Sequence, residues 1–158
     1  EEFKKDLSIN NVEIVPSSKD KQVQKYDEWT RFSHEKFSFQ YPAKWETMIR
    51  AENNEFWVAR KNRTERFFVA LTDQSWKKVE KEISVLEEKK DIPVQKTEID
   101  GYPAYVFTQK TPNQDMINKV VGGAIKKDNQ VYQFFYGAKE DIFNEKRKDK
   151  IINSLTIK

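Results

Sequence analysis

Cysteine is absent from the 158 residues of this chain, histidine occurs once and glycine only four times. The absence of cysteine excludes disulfides, thiol nucleophiles and thiolate metal ligands within this sequence. No apolar run reaches the roughly 18 residues that a membrane-spanning helix needs, and no secretory apolar region is present. The sequence begins with Glu1 rather than Met, which leaves room for a removed signal peptide or a lipid-anchored segment upstream.

A large excess of one charge is also missing. The 29 Lys and Arg residues nearly balance the 26 Asp and Glu residues, for a net charge of +3. A nucleic-acid-binding domain would carry a concentrated basic stripe, so nucleic acid is not expected as a partner. What the chain does have is aromatic residues, at 13% of the sequence, which provide the buried area that a disordered chain lacks.

The first part of the chain differs in composition from the rest. Residues 1–28 have few apolar positions and contain the run Pro-Ser-Ser-Lys-Asp-Lys at 16–21, which is typical of a linker. From Trp29 onward the pattern becomes globular. We therefore expect a flexible, linker-like segment over 1–28 and one domain over 29–158.

The domain is predicted to open with a short strand. Phe37, Phe39 and Tyr41 share one face at the two-residue period, and Pro42, which has no N–H to donate, ends the pairing. Trp45 then leads into a hairpin whose arms are 45–50 and 55–60. A buried Trp45 is expected at this turn.

Later strands are apolar on both faces, as in 66–71, 104–107 and 131–136. Such strands need cover on both sides. Cover comes from a helix capped by Asp73 or Ser75, with an apolar stripe spaced for a helix, and from a second helix predicted over 139–152. Asp100-Gly101 and Asp128-Asn129 indicate hairpin turns in the second half. The order predicts an α+β fold with an antiparallel sheet between helical layers.

Three segments resemble the PsbP-like proteins. They are the opening aromatic-Ser-aromatic-x-Tyr-Pro-x-x-Trp stretch at 37–45, the Gly-Tyr-Pro-Ala strand start at 101–104, and the Asn-Ser-Leu turn at 153–155. The resemblance covers roughly residues 29–158 and implies an α/β/α sandwich on a central antiparallel sheet. Members of the PsbP-like family include extracytoplasmic lipoproteins, photosystem II subunits and a nuclear Ran-binding relative, so the fold alone does not settle function. Histidine ligands of some photosynthetic members have no secure match here.

Catalytic chemistry finds little support in the sequence. His34 is the only imidazole, and Ser33 beside it points to the opposite face of an extended segment, so the two do not form a nucleophile and base. The carboxylates mostly alternate with Lys or Arg at helical spacing, which is typical of a solvated face. Gly122-Gly123 lacks the context of a phosphate loop, and a bulge or a close neighbour explains it better. No catalytic residue, metal site or cofactor is predicted.

Aromatic side chains that stay exposed beside arginines would form a binding surface for a protein or glycan. The candidate binding residues, around a cleft between the 111–115 loop and the first hairpin, are Trp29, Arg31, Trp57, Arg60, Tyr102 and Asp115.

The favoured function is a non-catalytic, extracytoplasmic binding or assembly module, secreted or lipid-anchored in a bacterium. Its partner would be a protein or a cell-envelope polymer, and any membrane contact would come through an anchor upstream of residue 1. Two alternatives remain. One is a small hydrolase using His34 with a carboxylate, and the other is an intracellular protein-binding adaptor of the same fold.

Overall fold

A computed structural model describes residues 28–111 and 117–158. Ten strands and two α-helices are assigned in these ranges. The strands are β1 (Trp29–Ser33), β2 (Phe37–Pro42), β3 (Glu46–Arg50), β4 (Glu55–Ala59), β5 (Glu65–Thr72), β6 (Val94–Ile99), β7 (Tyr102–Lys110), β8 (Lys119–Lys127), β9 (Gln130–Ala138) and β10 (Thr156–Ile157). The helices are α1 (Trp76–Glu87) and α2 (Glu145–Asn153), and a 3₁₀ turn spans Ala51–Asn53.

The chain divides into two units, of which the second comprises Glu46–Glu145. Its strands form one seven-stranded antiparallel sheet in the order β3-β4-β5-β9-β8-β7-β6. One face of this sheet is the most deeply buried part of the unit: Phe67 and Tyr136 are fully buried, and Phe134 is nearly so. The predicted α+β class, with antiparallel sheets and two helices, is confirmed.

Helix α1 covers part of the other face of this sheet. Ser75 is its N-cap, and the Ser75 hydroxyl accepts a hydrogen bond from the Lys78 N–H at 3.2 Å, as the capping pattern predicts. The helix buries Val79 and Ile83 against a sheet cluster of Tyr105, Ala124 and Val131. Trp76 stacks on Tyr105 with ring centroids 5.4 Å apart. The apolar stripe seen in the sequence is therefore the face that packs.

The first unit contains described residues 28–45 and 146–158. Its sheet has three strands in the order β10-β2-β1, so the opening strand pairs with the end of the chain. Phe37 and Phe39 are fully buried, and Trp45 is 8% exposed, as the sequence predicts. The Ser154 hydroxyl accepts from the Gln40 N–H at 2.7 Å and joins the turn before β10 to β2.

The second helix begins later than predicted, at Glu145 rather than at residue 139. Residues 140–142 form a turn instead, because groups of this segment are held by Asn118, just before β8, and by Tyr136 of β9. The Glu140 N–H donates to the Asn118 side-chain oxygen at 2.7 Å. Phe143 packs edge-on against Tyr136, with ring centroids 5.1 Å apart. Local tertiary contacts thus override the helical pattern in this segment.

Residues 1–27 of the predicted linker-like segment and part of one loop are not covered by this description. Residues 1–27 lie outside the described residues, and so do residues 112–116 between β7 and β8. Within the described ranges, no helix is both long and apolar enough to span a bilayer.

Gly122 and Gly123 lie in a regular part of β8, and a close neighbour rather than a bulge explains both. A Cβ on Gly123 would overlap the Tyr105 carbonyl oxygen of the adjacent strand. A Cβ on Gly122 would meet only the tip of the Phe107 ring, at 2.8 Å from Cζ. The backbone cannot move away cheaply, whereas an aromatic side chain can turn.

We therefore expect these neighbouring glycines to respond differently to the same substitution. Gly123→Ala should lower the free energy of unfolding by about 1 to 3 kcal/mol, the usual range for overpacking. Gly122→Ala should lower it by less than about 1 kcal/mol, since the Phe107 ring can rotate. Urea unfolding of both variants measures the difference. Equal losses would contradict the close packing at Gly123.

Candidate functional site

Strand register brings one residue from each of the seven strands into a single line across the larger sheet. Each of these residues is directly opposite the next, from the β3 edge to the β6 edge. We call this line the aromatic row, and its members are Met48, Trp57, Phe68, Phe135, Gly122, Phe107 and Val94. Cross-strand neighbours of this kind are the side-chain pairs that contact each other on one face of a sheet.

Three of the four rings of the aromatic row contact one another. Trp57 and Phe68 have ring centroids 4.4 Å apart, and Phe68 stacks on Phe135 at 5.4 Å with the planes 12° apart. Phe107 extends over Gly122, the row member that has no side chain. The aromatic surface therefore continues from β4 to β7.

The aromatic row lies on the face that helix α1 covers only in part. Helix α1 contacts the neighbouring line of residues, which includes Tyr105 and Ala124, and Val94 at the β6 end of the row packs against the same cluster. The four rings of the row are half-buried, whereas Phe67 and Phe134 on the opposite face are buried. Exposed aromatic surface that is contiguous, rather than scattered, is characteristic of an interaction site.

Two arginines lie against Trp57, near the β3 edge of the aromatic row. The guanidinium carbon of Arg66 is 5.0 Å from the centroid of the Trp57 ring, and that of Arg50 is 5.8 Å away. Both distances fall within the range of cation–π attraction. The Trp57 indole N–H donates to Glu55 Oε1 at 3.1 Å, which fixes the orientation of the ring. The site thus combines rigid aromatic surface with cationic groups.

Burial lowers the pKa of Arg66 from its ordinary value, and the positive charges of Arg50 and Arg63 lower it further. An arginine remains charged at neutral pH in spite of such a shift. Arg66 Nε is also buried without a hydrogen-bond partner. A charged group that lacks a partner in a poorly solvated position is destabilised, so a ligand anion at this place would stabilise it.

Of the residues predicted for a site, Trp57 belongs to the aromatic row but Arg60 does not. Arg60 Nε forms an ion pair with Glu65 Oε1 at 2.9 Å, and Glu65 is fully buried on the opposite face of the sheet. The Tyr136 hydroxyl donates to the other Glu65 oxygen. Because successive side chains of a strand alternate between faces, Trp57 and Arg60 cannot act on the same side.

The other predicted residues lie elsewhere. Trp29 and Arg31 are in β1 of the smaller sheet, where Lys150 Nζ lies 4.4 Å from the Trp29 ring centroid and Arg31 Nη1 donates to the Ser38 hydroxyl at 3.2 Å. Tyr102, at the start of β7, has Lys127 Nζ 5.5 Å from its ring centroid. Asp115 lies outside the described residues.

Sequence reasoning missed Phe68, Phe107, Phe135 and Arg66 as members of a surface. The signal was present, because their strands are apolar on both faces. The sequence pattern did not contain the register that aligns these residues. It also did not show how much of the sheet face helix α1 covers.

His34 is part of a turn between β1 and β2. Its Nδ1 accepts a hydrogen bond from the Lys36 N–H at 3.0 Å, and its ring stacks on Phe37 with centroids 4.9 Å apart. In the neutral imidazole that accepts at Nδ1, the proton resides on Nε2. Neither nitrogen is then a free base, and the geometry is that of a turn-stabilising side chain.

Within 28–111 and 117–158, no group of three or more acidic or histidine side chains is arranged to hold a metal.

Comparisons with known proteins point to a fold. No protein-family model and no curated protein matches the sequence. A solution structure of cyanobacterial PsbP (CyanoP) from Synechocystis sp. PCC 6803 matches with a TM-score of 0.60 and 14% identity over 84% of this chain and 94% of that chain. A crystal structure from Bacteroides thetaiotaomicron VPI-5482 matches with a TM-score of 0.57 and 12% identity. That match covers 81% of this chain and 48% of the other. This chain has the PsbP-like fold.

Proposed function

We propose that this protein is a non-catalytic binding or assembly module that docks a protein partner on the aromatic row. The observation that carries the proposal is the line of four half-buried rings, which share one open face of the larger sheet. Tryptophan and arginine are the residues that most often dominate the energy of protein interfaces, and both are present at the β4 end of the row. Rigid rings also lose little conformational entropy when a partner binds.

The proposed setting is extracytoplasmic, with the protein secreted or held at a bacterial surface by a lipid anchor upstream of residue 1. The linker-like composition of 1–28 supports this setting, because such a segment would separate an anchor from the domain. The fold match to a cyanobacterial PsbP and to a Bacteroides protein supports a bacterial origin.

A hydrolase that uses His34 is the weaker alternative. A general base needs an unoccupied nitrogen within reach of the proton that it abstracts. His34 Nδ1 already accepts from the Lys36 N–H at 3.0 Å, so catalysis would require this turn to open.

Photo-crosslinking tests the docking proposal for a protein partner of any sequence. A photoreactive benzoylphenylalanine replaces Phe68 at the centre of the aromatic row, and Val85, which is 53% exposed on helix α1, serves as the matched control position. Irradiation of cells that produce each variant, followed by denaturing electrophoresis and mass spectrometry, identifies the adducts. We expect a discrete protein adduct at position 68 and none of that mass at position 85.

Two outcomes would contradict the proposal. Adducts of equal mass and yield at both positions would show that position 68 is no more an interface than the surface of helix α1. An adduct formed within one chain would assign the aromatic row to this protein's own residues rather than to a partner.

A further inference from the structure

Three arginines converge at the β3–β5 side of the larger sheet. Arg50 ends β3, Arg66 is the second residue of β5, and Arg63 lies in the turn before β5 with a φ of 63°. Arg50 and Arg66 both lie within 6 Å of the Trp57 ring centroid. Arg50 and Arg63 are also close enough to Arg66 for their positive charges to lower its pKa. We call them the arginine cluster.

The carboxylates near the arginine cluster are engaged elsewhere or form no ion pair with it. Glu55 accepts from the Trp57 indole, and Glu65 pairs with Arg60 on the opposite face. Within the described part of the chain, no ion pair joins Arg50, Arg63 or Arg66 to a carboxylate. The three like charges repel one another, and Glu55, the carboxylate opposite Arg50 in the register, offsets this repulsion only in part because it forms no ion pair with them. Burial of Arg66 weakens the screening by water.

We propose that the arginine cluster receives the carboxylates of an acidic segment of the partner, while the aromatic row receives its apolar side chains. This inference rests on the proposed docking function. Charge complementarity identifies the occupant, because a carboxylate beside the exposed Arg50 and Arg63 side chains would relieve the repulsion among the three arginines. Guanidinium groups present their donors in a planar fork that matches a carboxylate in two parallel hydrogen bonds.

Charged and aromatic groups in this arrangement make different contributions to recognition. The aromatic row provides apolar area that is tolerant of sequence, whereas the arginine cluster selects segments with acidic side chains. Acidic residues interspersed with apolar ones are therefore the expected composition of the bound segment. Clustering of the cations near Trp57 predicts that the acidic residues lie toward one end of that segment.

Calorimetry with synthetic peptides and the full chain tests the inference. The probe peptide has Phe and Val followed by a run of Glu, and the matched peptide has Gln in place of every Glu. We expect the Glu peptide to bind at least roughly tenfold more tightly, the factor that corresponds to about 1.4 kcal/mol and to one charge-assisted contact. The advantage should shrink as salt is raised.

Variants locate the effect in the arginine cluster. Arg50→Gln, on an exposed residue, and Arg66→Gln should each lower the affinity for the Glu peptide by roughly tenfold and leave that for the Gln peptide unchanged. Lys81→Gln, on the exposed face of helix α1, removes the same charge from another surface and should change neither affinity. Arg50→Gln keeps the test valid if the half-buried Arg66 proves necessary for folding.

Results that overturn the inference differ from those that overturn the docking function. Equal affinity for the two peptides, absence of binding by the Glu peptide, or insensitivity to Arg50→Gln would each overturn it. Tighter binding of a sulfated polysaccharide than of the Glu peptide would overturn it as well, in favour of an anionic polymer. The adduct at position 68 does not depend on the arginines, so it can persist while the carboxylate inference fails.

Discussion

Trp45→Ala is expected to lower the free energy of unfolding by roughly 3 to 5 kcal/mol, the usual range for removal of a large core aromatic. Trp45 is 8% exposed, and its backbone N–H donates to the Pro42 carbonyl at 3.0 Å in the turn that ends β2. A smaller residue at this position would leave a void beside the turn, and close-packed surroundings would fill it only partly. Urea unfolding followed by circular dichroism measures the loss.

Trp57→Ala is the matched control for Trp45→Ala. It removes the same side chain from a half-buried position on the open face, so the expected loss is at most about 2 kcal/mol. A loss below about 1 kcal/mol for Trp45→Ala would place Trp45 on the surface and contradict its role in the core. The contrast between the two variants separates aromatic residues that stabilise the fold from those that form the binding surface.

Arg60→Met is expected to lower the free energy of unfolding by about 3 kcal/mol, because it removes the guanidinium that pairs with the buried Glu65 carboxylate at 2.9 Å. Glu65 is fully buried, and the Arg60 side chain is 40% exposed, so water reaches only one side of the pair. That partial access places the expected loss at the lower end of the range for broken buried pairs. Guanidinium chloride would screen the charges, so urea is the suitable denaturant.

A second substitution provides the control for the Arg60 prediction. Adding Glu65→Gln to Arg60→Met removes the buried charge and keeps a carbonyl oxygen that accepts from the Tyr136 hydroxyl. The double variant should therefore recover at least about half of the lost stability. If Arg60→Met loses less than about 1 kcal/mol, or if the double variant is less stable than the single one, the ion pair does not have this role.

Much of the local structure was predictable because it depends on neighbours in sequence. Ser75 and the apolar stripe of helix α1 indicated the helix and its packing face, and Asp100-Gly101 indicated the turn between β6 and β7. The pairing of β10 with β2 was not predictable from such signals. It joins Ile157 to Phe37, and no local pattern states which distant strand a segment will choose.

The candidate site shows the same limit. Trp57 was recognised as a large aromatic near arginines, yet Arg60 was grouped with it because the two are close in sequence. Alternation along the chain places them on opposite faces, and Arg66, from the neighbouring strand β5, is the arginine that contacts the ring. The aromatic row exists only through register across seven strands, which propensity and composition do not contain.

Hydroxyl-radical footprinting tests the docking function of the aromatic row most directly. The protein is oxidised inside the cells that make it and again after purification, and mass spectrometry measures oxidation at Trp57 relative to Trp76. Trp76 is the first residue of helix α1, and its ring stacks on Tyr105 in the same unit. A docked partner predicts a lower Trp57 to Trp76 ratio in cells than in the purified protein. The same ratio in both samples would contradict the assignment of the aromatic row as a protein-binding face.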